Sequence, residues 1–389
     1  AVAAVAALGL GIERSDRISD IATAVGILLA FTALSLWLRP LTQVVVQTVG
    51  ERRVARALIE TYGYDSLSFF AMRRDKSYFF SPTRNSFLAY RVVAGTALMS
   101  GDPVGEEDEF DALLTEFREF ARGSGWRFGI LGASGTQLER YQRLGLRAIP
   151  IGEEAILDPA TFSLDGRAIR KVRQSVTRLA KAGYSLRVVA ADEADEALRV
   201  QLDEVSEAWR GNQPERGFTM AIDDLYVPDT VFALAEDEDG RVGGFLHLAP
   251  TPAGGGWWLS TMRRSPSTPN GLTEFLIVET LAWAKEHDVS EVSLNFCAFT
   301  ELICPERANT LSRRFLRRAL LAADNVFQLE RLYAFNRKFF PEWRPRYLVV
   351  EKLTDLPLVG LAYLHVEQLL VPPGPWARRE RKTGQLVSH

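Results

Sequence analysis

The sequence predicts an α/β chain with mixed sheets (α+β in character), arranged as two successive units behind a membrane-spanning start. Three observations predict it. Segments with helical and strand periodicity alternate from residue 50 onward. The 389 residues exceed the roughly 250 that one core usually holds. Residues 21 to 38 (IATAVGILLAFTALSLWL) form an uncharged, mostly apolar run.

That run approaches the ~20 residues a bilayer crossing requires, and Trp37-Leu38-Arg39-Pro40 reads as an interfacial stop rather than a cleavage site. A transmembrane helix is therefore predicted over 18–40, and residues 1–12 (AVAAVAALGLGI) read as the tail of a preceding span. Arg39, Arg52, Arg53 and Arg56 follow the run, whereas Arg14 and Arg17 are mixed with Glu13, Asp16 and Asp20. This bias predicts a cell-membrane protein whose body is cytoplasmic.

A first unit is expected over 50–165, with a helix at 51–62, strands at 66–70, 77–80 and 87–93, a helix at 107–123, a strand at 127–131 and a helix near 134–144. Residues 166–183 (GRAIRKVRQSVTRLAKAG) read as a basic linker helix. A second unit over 184–352 repeats the grammar: strand 185–190, helix 192–208, strands 230–235, 242–248 and 256–262, helix 271–286 and strand 291–296. The glycine-rich turn at 251–256 reads as a plain loop, and residues 353–389 as a C-terminal extension, basic and flexible toward its end.

With 46 basic and 49 acidic residues the net charge is −3, so a polyanion must meet a local patch rather than the whole surface. The linker supplies one, with Arg167, Arg170, Lys171, Arg173, Arg178 and Lys181 and no acid; Arg313, Arg314, Arg317 and Arg318 supply another. Such patches suit a phosphate backbone or anionic lipid. Cys297 and Cys304 are too few for a disulfide framework and read as buried thiols. No G-x-S-x-G, H-E-x-x-H, Walker or G-x-G-x-x-G motif occurs, which disfavours triad hydrolysis, histidine-based metal chemistry and glycine-loop nucleotide binding.

The polar set left over is Glu215, Arg263, Arg264, Asn270, Glu274, Asn295 and Lys338. It suits group transfer in which a carboxylate accepts a proton while cations and amides steady an oxyanion. Asn295, within the apolar SLNF, must find hydrogen-bond partners or carry a penalty. Arg263, Glu274 and Asn295 are expected to face one cavity.

The chain resembles the synthase portion of bacterial phosphatidylglycerol lysyltransferases, the multiple peptide resistance factors, over roughly residues 50–350. In the first half the resemblance rests on DSLSFF at 65–70, DKSYFF at 75–80, Tyr90-Arg91-Val92, GDPVG at 101–105 and GEEA at 152–155. In the second it rests on Glu215-Arg216-Gly217-Phe218, Met262-Arg263-Arg264, Asn270-Gly271, SLNF at 293–296 and FFPEWRPRY at 339–347. It implies tandem acetyltransferase-like (GNAT-type) domains without coenzyme A or any other cofactor, and without a metal. The implied reaction moves an aminoacyl group from aminoacyl-tRNA to the hydroxyl of phosphatidylglycerol. Glu274 then serves as proton acceptor, Arg263 and Lys338 as phosphate anchors and Glu215 as partner of the α-ammonium. Ser260 stands where the family's D-x-M-R element has its acid, which leaves the transferred amino acid open. The same departure keeps open a tRNA- or lipid-binding module without turnover, and the acceptor class also admits diacylglycerol or a peptidoglycan precursor.

Overall fold

The computed structural model of the chain describes residues 47–210, 224–298, 300 and 324–366. The expected membrane span, Glu215, the basic cluster at 313–318 and Cys304 lie outside these residues. Among the described residues no helix is long and apolar enough to cross a membrane.

The first half starts with helix α1 (Val49–Tyr62), held at its N-terminus by a reciprocal capping box between Thr48 and Glu51. Strands β1 (Ser77–Phe80), β2 (Ser86–Val93), β3 (Thr96–Ser100) and the short β4 (Val104–Gly105) follow. Then come α2 (Phe110–Gly123), β5 (Arg127–Ser134), α3 (Leu138–Arg143) and the long β6 (Arg147–Leu157). The basic segment forms α4 (Arg170–Lys181). The second half runs through β7 (Ser185–Ala190), α5 (Glu196–Arg210), β8 (Val231–Glu236), β9 (Val242–Thr251) and β10 (Gly256–Arg264). It ends with α6 (Leu272–Glu286), β11 (Val292–Ala298), α7 (Asp324–Asn336), β12 (Glu342–Val350) and α8 (Leu356–Val366).

The halves share one sheet of twelve strands, ordered β1-β2-β3-β5-β12-β6-β11-β10-β9-β8-β7, with β4 beside β2. Each half contributes an antiparallel run that ends in a parallel pair, β3–β5 in one and β10–β11 in the other. The final strands are exchanged. β12 lies against β5 of the first half, and β6 lies against β11 of the second.

Two expectations change. Residues 66–70 were expected as a strand, but Ser68–Met72 form a 3-10 turn. Phe70 packs edge-on against Trp258 at 5.7 Å, and the buried Lys76 donates to the Phe70 carbonyl at 2.9 Å. A short aromatic run has no periodicity to separate the two states, and tertiary packing decides. The first part of the expected extension is also ordered into the core, since Val359, Ala362, Tyr363 and Val366 of α8 join the cluster containing Phe70 and Trp258.

Candidate functional site

The parallel pair β10–β11 is matched only at Trp257↔Val292 and Trp258↔Ser293, after which the strands part. Both strands are irregular there. β10 slips against β9 between Leu259 and Thr261, leaving Ser260 as the extra, buried residue. β11 slips against β6 between Ser293 and Phe296. Asn295 lies in that slip with φ 78°, a left-handed conformation that asparagine tolerates better than other side chains. Its Nδ2 donates across the gap to the Leu259 carbonyl at 3.0 Å, and its Oδ1 accepts from the Phe296 N–H at 2.6 Å. The polar residue anticipated in an apolar strand is therefore satisfied, and it bridges the mouth of the parted strands.

The other predicted residues divide between the two faces of the sheet. Directly paired residues of an antiparallel ladder project to one side, so Arg263, opposite Phe245, shares a face with His247, which is opposite Thr261. Phe245 and Phe232 pack there with Leu198, Leu202 and Val205 of α5. Arg263 and His247 are buried on this face. The other face carries Leu246, Leu248 and Leu259 against Leu272, Phe275 and Leu276 of α6, together with Val172 and Leu179 of α4. Glu274, in the first turn of α6, is on that side. The expectation that Arg263, Glu274 and Asn295 face one cavity is thus not met: the sheet separates Arg263 from Glu274, with Asn295 at the opening between them.

Glu274 and Lys338 do meet. Lys338 Nζ lies 2.8 Å from Glu274 Oε1 and 4.8 Å from the Phe335 ring centre. Arg264, half-buried, alternates with Arg263 and so lies on the Glu274 side. Asn270 is exposed, and its carbonyl accepts from Arg178 of the basic helix. Gly271 follows with φ 94°, and a Cβ placed on it would meet Ser175 at 2.7 Å. Asn270-Gly271 is therefore fixed by the close approach of α4, and only glycine fits. Along α4, Arg170, Lys171, Arg178 and Lys181 are exposed, as is Arg167 just before it, while Val172 and Leu179 are buried. Arg173 is half-buried and donates to the carbonyls of Leu164 and Gly166.

Two features had weak sequence signals. His247 lies in the apolar run FLHLA, where a histidine stands out as Asn295 does. Arg346 of β12 is wholly enclosed, with its Nη1 2.6 Å from Asp65 Oδ2 and its Nη2 2.6 Å from Glu154 Oε2. Burial pushes the Glu154 carboxyl up, Arg346 opposes that shift, and burial with nearby Asp65 raises Asp102. Burial likewise pushes the Cys297 thiol up to about 12, which makes it an inert core group. Among the described residues no cluster of His, Cys, Asp and Glu is placed to hold a metal ion.

A mixed sheet with a split parallel pair, a basic helix on one face and a buried arginine on the other defines a two-unit α/β protein whose site lies where the sheet opens. The chain belongs to the phosphatidylglycerol lysyltransferase C-terminal family, whose model matches residues 56–350. It is 36% identical over 340 residues to the lysylphosphatidylglycerol biosynthesis bifunctional protein LysX of Rhodococcus jostii, covering 84% of this chain and 30% of that protein. The LysX of Mycobacterium marinum is 37% identical over 334 residues, with the same two coverages of 84% and 30%. The chain thus spans less than a third of the length of these relatives. The solved structure of L-PGS from Bacillus licheniformis shares the fold, with a TM-score of 0.72 at 24% identity over 83% of this chain and 98% of that one.

Proposed function

We propose that the chain transfers an aminoacyl group from aminoacyl-tRNA to the hydroxyl of phosphatidylglycerol at the membrane, with the body cytoplasmic, and so alters membrane surface charge. Family membership supports this reading, and so does the name of the LysX relatives, which are lysylphosphatidylglycerol biosynthesis proteins. The observation that carries it is the parting of β10 and β11 between two chemically different faces. Each half is read as an acetyltransferase-type unit, the first over 50–165 and the second over 184–352.

The donor approaches on the α6 side. Arg167, Arg170, Lys171, Arg178 and Lys181 offer a cationic strip to the tRNA backbone, with Arg173 bracing its base. Arg264, Asn270 and the Glu274–Lys338 pair lie on the same side, nearer the opening. A helix N-terminus is the usual seat of a nucleotide pyrophosphate, but α4 occupies that position over Gly271, which supports a donor carried by tRNA rather than coenzyme A. The lipid approaches from the Arg263 side. A cavity of about 430 Å³ is lined by the apolar Ile59, Phe69, Met72 and Pro250, by Arg52, and by Arg56 paired with the carboxylates of Glu60 and Asp229, and its apolar wall could take part of a lipid.

The two substrates meet at the opening. The ester of the donor is already activated, so the protein supplies position and charge. Glu274 accepts the hydroxyl proton, Lys338 and Arg263 anchor phosphate, and the Asn295 amide sits where an oxyanion develops. Glu215 is assigned to the α-ammonium and Ser260 to the wall of the donor pocket. The test is transfer from aminoacyl-tRNA to phosphatidylglycerol, read by mass spectrometry of extracted lipid. The expected product disappears with Glu274→Ala or Arg263→Ala. Salt-sensitive tRNA binding with no new lipid from the wild-type chain overturns the transferase reading.

A further inference from the structure

Asn336 belongs to no predicted set. It is the last residue of α7 and is wholly buried, whereas Asn295, at the opening, is half-buried. Its Nδ2 donates to the Leu294 carbonyl at 3.3 Å and lies 3.6 Å from Cys297 Sγ, so one amide brackets both sides of the β11 slip. Leu294 and Asn295 are skipped in the register with β6, and the match with β10 ends at Ser293. The Leu294 carbonyl therefore sits where the register lapses on both sides, in a buried residue. A buried carbonyl needs a donor, and Asn336 supplies it.

The peptide that carries this carbonyl joins Leu294 to Asn295. Its plane, together with φ 78° at Asn295, sets the direction in which the Asn295 side chain leaves the strand. A fixed plane keeps Asn295 Nδ2 on the Leu259 carbonyl and Oδ1 on the Phe296 N–H. Packing alone does not call for an amide at position 336. Asn336 Oδ1 is enclosed and has no hydrogen-bond partner among the described residues, a cost that an apolar side chain of similar size avoids. What the amide adds is the donated bond.

The turn around Asn336 is anchored on the other side as well. Phe339 joins the buried cluster of Leu272, Phe275 and Leu276 of α6, and Lys338 lies 2.8 Å from Glu274. In the first half Gly132 is likewise skipped in a register, and its carbonyl accepts from Arg346 Nη1 at 3.3 Å. The stretch from Asn336 to Arg346 thus supplies a side-chain donor to each bulge. Of the two bulges, only the second has a side chain to aim.

Resting on the proposed function, we propose that Asn336 is a positioning residue for the transfer. It fixes the peptide before Asn295 and so aims the Asn295 amide at the developing oxyanion, while itself touching neither substrate.

The test uses the full chain with Asn336→Leu, which keeps the volume and removes the donor, and with Asn336→Ala should the leucine variant fail to fold. Each is made in the wild type and in Asn295→Gly, which suits the left-handed backbone but has no amide to aim. Transfer is measured below every melting transition. In the wild-type background kcat is expected to fall about tenfold, since an oxyanion donor acts only when aimed, with the KM for aminoacyl-tRNA and for phosphatidylglycerol within about twofold. In the Asn295→Gly background the further loss is expected to stay under about twofold, a coupling that a packing defect would not produce. Hydrogen exchange at the Phe296 N–H is expected to quicken about tenfold, with Val231–Thr251 unchanged. The same tenfold loss in both backgrounds overturns the inference, as does a loss confined to KM or unaltered exchange over 292–298. A wild type that forms no aminoacyl lipid overturns the transferase reading, and the exchange measurement then decides by itself whether Asn336 holds the bulge.

Discussion

Asn295 shows how one residue reports a whole joint. In the first half the equivalent bulge, skipped in the β5–β12 register between Leu131 and Ala133, is Gly132, with φ 80°. Asn295 holds φ 78° in the second. Left-handed backbone costs an ordinary side chain about 1–2 kcal/mol and glycine almost nothing. Asn295→Gly and Asn295→Ala both lose the bond to Leu259, but the alanine adds that strain. Thermal unfolding should therefore rank wild type above Gly and Gly above Ala, the last two separated by about 1 kcal/mol; equal melting of the two variants would exclude a backbone role. SLNF announced a polar residue needing partners, but the partner is a carbonyl that only the parting of two strands exposes. His247 gives a pH signature. Its folded pKa, about 3, lies below the ordinary 6.5, so between those values the unfolded chain binds the proton that the folded chain refuses. Its contribution to stability is present above pH 6.5 and is lost as pH falls toward 3, at up to about 1.4 kcal/mol per pH unit. Denaturant titrations of His247→Phe should show a flatter acid limb than wild type, and identical limbs would contradict this assignment.

Helix α4 has its roles written on alternate sides. Val172 and Leu179 recur at helical spacing and are buried, whereas Arg170 and Lys171 point away and are exposed. Reversing the charge of Arg170 and Lys171 should weaken tRNA binding and lower the salt dependence by about two phosphate contacts, with melting unchanged. Leu179→Ala should instead cost about 2–5 kcal/mol of stability. A charge-reversed protein with unaltered tRNA affinity would remove α4 from the donor path. The helix was legible because basic and apolar residues alternate with a 3.6 period, and most strands of the second half were legible as alternating runs. β12 was not. EWRPRYLVV carries charges and a proline, which argue against a central strand. Its pairing with β5 begins only at Arg346, while its pairing with β6 spans Glu342 to Val350. Pro345 therefore sits where β12 has one neighbour, and its missing N–H breaks no ladder on the open side.

Exchanging β6 and β12 ties the halves into one object, and the buried charges show how tightly. The Arg346 guanidinium reaches the carbonyl of Gly132, at the first bulge, at 3.3 Å. It also grips Glu154, which lies opposite Phe296 at the second bulge and whose carboxyl is pushed up by burial against the opposing pull of Arg346. One ion pair thus ties the two bulges together, bridging residues 192 apart in sequence. Removing one partner of such a buried pair costs about 3–5 kcal/mol, because the other charge is stranded. Arg346→Met should lose that much, and adding Glu154→Gln should recover part of it, a coupling that a double-mutant cycle measures. The same exchange argues that neither half is complete alone. Residues 50–165 by themselves leave β5 without β12 and β6 without either neighbour, an exposed double edge that favours association with other chains. Expressed alone, that half should show no cooperative melt and should aggregate, whereas supplying residues 342–350 on a linker should restore one. A cooperative transition in the isolated half would mean that each unit carries its own core and that the exchanged strands only join two finished domains.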